Sequence, residues 1–84
     1  MPHDRDVCND NNWYPHHFNW VNNSGKPVTI NKHKNDPWPF VPDPPITVLV
    51  GHPEHCELKP DLPRGTYYYD VNCEKGTPKT IIIS

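Results

Sequence analysis

The chain is short of positive charge, of serine and of long apolar runs, and each shortage removes a class of protein. Eight Lys and Arg stand against ten Asp and Glu, a formal charge of −2. That leaves no basic footprint for nucleic-acid phosphates and no polybasic anchor for a membrane surface. The longest apolar runs, Ile46 to Val50 and Ile81 to Ile83, are strand-sized, far below the roughly 18 residues a bilayer span needs. No membrane insertion is expected. The opening MPHDRDVCND has no apolar central segment, so it does not read as a secretory signal; an exported protein would be seen here as its mature form behind an added Met1. Ser24 and Ser84 are the only serines, one in a turn and one terminal, which argues against a serine nucleophile with a positioned base.

What is present is a set of large rings in a sparse chain. Eighty-four residues make one domain, and a chain of that size buries only about 60% of its unfolded surface. The apolar share is 33% and there are twelve prolines, but three Trp, four Tyr and two Phe supply buriable area that disordered chains lack. A folded domain with proline-stiffened loops is the expectation. Cys8, Cys56 and Cys73 suit one disulfide with one thiol left over, and three pairings are open. Cys73 shares a strand face with Tyr69 and Val71 and is the favoured member of the bridge. A disulfide would place the protein in an extracytoplasmic compartment, periplasmic or secreted. The alternative is three reduced thiols in the cytosol.

Residues 1–15 are rich in Asn, Asp and His without an apolar period and read as an irregular arm ahead of a single domain at 16–84. His17 to Val21 and Lys26 to Lys32 flank Asn22-Asn23-Ser24-Gly25, a hairpin signal, with Val28 and Ile30 pointing inward. Lys32 to Pro45 reads as loop, because Pro37, Pro39, Pro42, Pro44 and Pro45 exclude helix and central strand; Trp38 and Phe40 would fold it onto the core. Ile46 to Val50 is a buried strand, His55 to Lys59 a shorter one, and Thr66 to Cys73 alternates Tyr67, Tyr69, Val71 and Cys73 on one face. Thr80 to Ile83 closes the sheet. No segment keeps a helical period over ten residues. The class is all-β, a small Greek-key β-sandwich of six or seven strands with a proline-rich loop. Leu62, Pro63, Gly65 and Tyr67 match a tyrosine corner, in which the Tyr hydroxyl bonds back onto the turn before it.

The order VNNSGKPVTI, PWPF loop, ITVLVG, GTYYYDVNC, KTIIIS resembles the cupredoxin family of small copper-binding β-sandwiches, over roughly Phe18 to Ser84. That resemblance implies a cupredoxin-like fold. In the family's electron carriers, one Cys, two His and usually a Met hold copper, a trigonal set with a weak axial sulfur that suits both oxidation states. The resemblance puts the first His near Val28 and Thr29 and the thiolate near Val71, and the loop after Cys73 has neither His nor Met. It therefore implies the fold without the ordinary blue-copper site.

Six histidines and three cysteines remain as soft-metal donors. His16 and His17 form one group and His52, His55 and Cys56 another, which together suit copper or zinc; Cys8 and His3 form a third. Asp43, Glu54, Glu57 and Asp61 show no catalytic pairing, and Cys56 and His55, adjacent on a strand, point to opposite faces. An enzyme is not expected. Trp38 and Phe40, rimmed by prolines, offer a rigid anchor for an unidentified protein partner if they face outward. Asn22-Asn23-Ser24 matches the N-glycosylation acceptor pattern. The reading is a small non-catalytic, exported binding module, with a copper- or zinc-binding carrier or sensor as the alternative.

Overall fold

The structure is a computed structural model and describes residues 3–15, 18–73 and 78–84. It is all-β, with no helix among the described residues. Eight strands follow in order: β1 (His3–Asp6), β2 (Phe18–Val21), β3 (Val28–Lys32), β4 (Phe40–Val41), β5 (Ile46–Val48), β6 (Glu54–Leu58), β7 (Gly65–Val71) and β8 (Lys79–Ile83). They form two four-stranded sheets, β1-β2-β6-β4 and β5-β3-β7-β8, packed as a β-sandwich.

The alternating residues turn their apolar members into the space between the sheets. Phe18 and Trp20 enter from β2, Val28 and Ile30 from β3, Ile46 and Val48 from β5, and Tyr67, Tyr69 and Val71 from β7; all are buried. Rings fill most of that space. Trp20 meets Phe18 at 5.1 Å, Phe40 at 5.6 Å and Tyr69 at 5.8 Å between centroids, all edge to face, the arrangement that sets a ring's positive edge against its neighbour's negative face. Few aliphatic residues are needed when each ring removes so much surface from water.

Three sequence expectations change. Residues 3–6 are not an irregular arm: they form β1, parallel to β2 from His3↔Phe18 to Asp6↔Val21. A strand reading HDRD has no apolar period to reveal it. It stays at the sheet edge, where charge is tolerated and guards against unwanted pairing, and the Arg5 guanidinium covers the Trp13 ring at 5.0 Å. The segment around Asn22 to Gly25 is not a hairpin. β2 pairs with β1 and β6 while β3 pairs with β5 and β7, so the turn carries the chain from one sheet to the other. Both strands have an inward apolar face, and a hairpin would place them side by side in one sheet. Third, the proline-rich loop contains a strand: Phe40 pairs with Leu58 and Val41 with Glu57, which with β1 brings the described strands to eight rather than six or seven.

The tyrosine corner forms as expected, with the Tyr67 hydroxyl donating to the Pro63 carbonyl at 2.6 Å. Cys8 and Cys73 make the disulfide, their Cα atoms 5.7 Å apart. It ties the loop after β1 in the first sheet to the loop after β7 in the second.

Candidate functional site

The strand registers bring four connections to one end of the sandwich. Val28 lies opposite Val48, and Ile30 opposite Val71. The loops leaving β1, β2, β5 and β7 therefore emerge together. Two Asx-rich turns are fixed there by their own side chains. The Asp6 carboxylate accepts from the backbone N–H of Cys8 at 3.0 Å and of Asn9 at 3.2 Å, and from the amides of Asn9 at 3.0 Å and Asn23 at 3.4 Å. Partial burial pushes its pKa up. The donors, chiefly the Asn9 amide, outweigh burial and hold the carboxyl below its ordinary value.

Asn22 does the same for the crossing turn. It is only 4% exposed; its amide donates to the Lys26 carbonyl at 2.7 Å and the Val48 carbonyl at 2.8 Å, and its oxygen accepts from the Ser24 N–H at 2.9 Å. One side chain thus joins the crossing turn to the end of β5. This also revises the glycosylation motif. The acceptor nitrogen is buried and both its hydrogens are used, so a glycan on Asn22 would displace the bonds that shape the turn. Asn72 completes the end by exchanging bonds with Thr29, whose N–H reaches its side-chain oxygen at 2.7 Å.

Between these turns lies a cleft of about 320 Å³. The Cys8–Cys73 disulfide and buried Val28 contribute its apolar surface, and Asn9, Asn23 and Ser24 its neutral polar groups. Lys26 supplies the only formal charge among the described lining residues. Sequence reasoning missed this cleft because the pairing of Cys8 with Cys73 was open. The signal was there in DVCNDNN and VNNSG, two runs of residues that bond their own backbone. A second cleft, lined by Tyr14, Leu58 and Ile82 among others, lies at the opposite end.

The residues expected to carry function are dispersed. Trp38 and Phe40 face inward, 5% and 0% exposed, and their rings meet at 5.2 Å. The Trp38 indole N–H donates to the Pro42 carbonyl at 2.9 Å. The prolines fold the loop onto the core, which leaves the outward anchor without its side chains. Cys56 is the unpaired cysteine and also lies in the core. Its thiol donates to the Val41 carbonyl at 3.5 Å, and burial pushes its pKa up to about 11 against the Trp20 indole N–H, which favours the thiolate. The thiol is thus enclosed, and His55 beside it points the other way. His55 is exposed on the outer face of β6, with Nδ1 3.3 Å from the Asn19 side-chain oxygen and Nε2 3.3 Å from a Glu57 carboxylate oxygen. His52 is exposed in the turn after β5, its backbone N–H bonded to the Leu49 carbonyl at 3.2 Å. His16 and His17 lie outside the described residues. Among the described residues no three His, Cys, Asp or Glu side chains gather as a metal group. His33, unmarked by any motif, pairs through Nδ1 with Asp70 at 2.8 Å.

No protein-family model matches the chain, and comparison with curated proteins and with solved structures likewise gives no match.

Proposed function

We propose that the chain is a small non-catalytic binding module with a cupredoxin-like, Greek-key sandwich, working in an oxidising compartment outside the cytoplasm, and that it meets a protein partner through the loop end around the Cys8–Cys73 cleft. One observation carries this reading: Asp6, Asn22 and the disulfide lock separate loops into one surface before any partner arrives. Loops at the end of a sandwich are free to vary without disturbing the sheets, and a surface already ordered loses little entropy on binding. The tyrosine corner and the pair of four-stranded sheets support the cupredoxin-like reading. The family's copper does not fit this chain. Val28 and Val71, at two of the positions where ligands would fall, are buried aliphatic side chains, and Cys73 is tied to Cys8.

The test is to titrate 15N-labelled protein with extracytoplasmic candidate partners. Amide shifts should concentrate in residues 8–9, 22–28 and 72–73. Shifts confined to Tyr14, Leu58 and Ile82 at the other end would overturn the assignment.

A copper- or zinc-binding carrier is the second reading, favoured by the exposed His55 and Glu57 side chains lying 3.3 Å apart. Saturable binding tighter than about 10 μM by calorimetry, lost in His55→Ala, would support it. Weaker or unsaturable binding removes it.

A further inference from the structure

The Cys8–Cys73 disulfide is not hidden in the core as Cys56 is. Both cysteines are partly exposed and packed against the core, and both line the loop-end cleft, so the bond borders a cleft in the folded protein. Lys26 lines the same cleft and is exposed. The other described lining residues carry no charge, and Asp6, the nearby carboxylate, is held by Asn9 and Asn23 and already accepts from four donors. Among the described lining residues, Lys26 is thus the one whose charge can draw an anion into the cleft that the bond lines. The bond also has something to release, because β1 is an edge strand whose only sheet partner among the described residues is β2.

We infer that the cleft is an access path for a small carboxylate-bearing thiol, and that the Cys8–Cys73 bond is a latch on β1 which such a thiol opens without unfolding the domain. The thiolate attacks one cysteine sulfur along the S–S axis, forming a mixed disulfide and expelling the other cysteine as thiolate, which takes a proton from solvent. A second molecule of the thiol attacks the mixed disulfide. That releases the second cysteine and one molecule of small disulfide: two thiols are oxidised, and the protein bond takes up two electrons. Lys26 draws the anionic reagent toward the bond. Once the bond is open, β1 keeps its parallel ladder to β2, the Arg5–Trp13 and Asp6–Asn23 contacts and buried Val7 but loses its covalent tie to the second sheet, and the wall shared by the cleft and the β1 loop loosens.

The oxidised, full chain is treated with mercaptopropionate and, separately, with neutral mercaptoethanol, and bond cleavage is followed by quench and mass spectrometry. Alkylation of buried Cys56 in oxidised protein without thiol measures how often the domain opens as a whole. Cleavage is expected to run at least about tenfold faster than that opening. Lys26→Gln should slow mercaptopropionate about threefold and Lys26→Glu about tenfold, as expected for one and two units of charge near an exposed site, with mercaptoethanol and Cys56 alkylation unchanged. Cleavage no faster than Cys56 alkylation would overturn the access path. Equal slowing of both thiols, or of neither, would overturn the role of Lys26. For the latch, amide exchange of Arg5 to Val7 should rise at least about tenfold on cleavage while that of Tyr69 stays slow; unchanged exchange in Arg5 to Val7 would overturn it.

Discussion

The indole N–H of Trp13 donates to the hydroxyl of Tyr69 at 3.0 Å across 56 positions of sequence. The bond is buried, and it fixes the segment after β1 against a central strand of the second sheet. Burial, set against that donor, raises the Tyr69 pKa well above the ordinary phenol value, so the hydroxyl stays protonated as a neutral acceptor. Tyr69→Phe keeps the ring and strands the indole donor. Stability should fall by about 1–3 kcal/mol, read by urea unfolding, with the slope of the transition unchanged.

Asn22 offers a second, sharper case. Its amide serves two carbonyls, that of Val48 in the buried end of β5 and that of Lys26, which the Ser24 hydroxyl also reaches. Asn22→Ala should cost about 2–4 kcal/mol, the loss of both amide bonds and of the bonds its oxygen accepts from Ser24. Asn23→Ala, at an exposed neighbour with one long bond to Asp6, should cost less than about 1 kcal/mol. Thermal melts of the two variants side by side check the contrast.

The disulfide spans a sequence separation of 65, and closing a loop of that length removes about 4 kcal/mol of freedom from the unfolded chain. A domain of this size is stable by only about 4–12 kcal/mol. The double variant Cys8→Ser with Cys73→Ser should therefore remain folded at low temperature and lose about 4 kcal/mol of its margin, seen as a drop in urea midpoint.

Asp6 links the loop end to pH. Its carboxyl titrates below its ordinary value in the folded state, so the stability it adds is present above the unfolded pKa and is lost as pH falls through the lower folded pKa. Asp6→Asn should cost less than about 1 kcal/mol at pH 7, since the group is only partly buried and solvent screens its charge, and should flatten the acid limb of stability against pH. An acid limb identical to that of the parent would show that Asp6 is uncoupled from folding.

The second sheet was the readable part of this chain. Val28, Ile30, Ile46, Val48, Tyr67, Tyr69 and Val71 recur at every second position, and a period of two declares both strand and inward face. β1 was hidden because an edge strand can be built from charge, and β4 because two paired residues inside a proline-rich loop leave no period. The crossing at Asn22 was misread since an NNSG turn looks alike whether the strands it joins lie beside one another or face one another; only the long-range partner, the Val48 carbonyl, separates the cases. Trp38 and Phe40 fold onto the core, as their alternation with prolines implies, and only the conditional outward anchor finds no exposed side chains. The loop-end cleft depended on which cysteines pair, a choice made by three-dimensional proximity.

The crossing between β2 and β3 also bears on how fast the molecule can assemble. The two most central strands of each sheet, β2 with β6 and β3 with β7, are partners that lie tens of residues apart. Of the consecutive strands, only β1 with β2 and β7 with β8 pair directly. Large loops must close before the rings of Phe18, Trp20 and Tyr69 gain any contact across the sheets, an entropic cost met early and repaid late. The time needed to reach the native state should thus fall in the millisecond-to-second range typical of such wiring, slow for so short a chain.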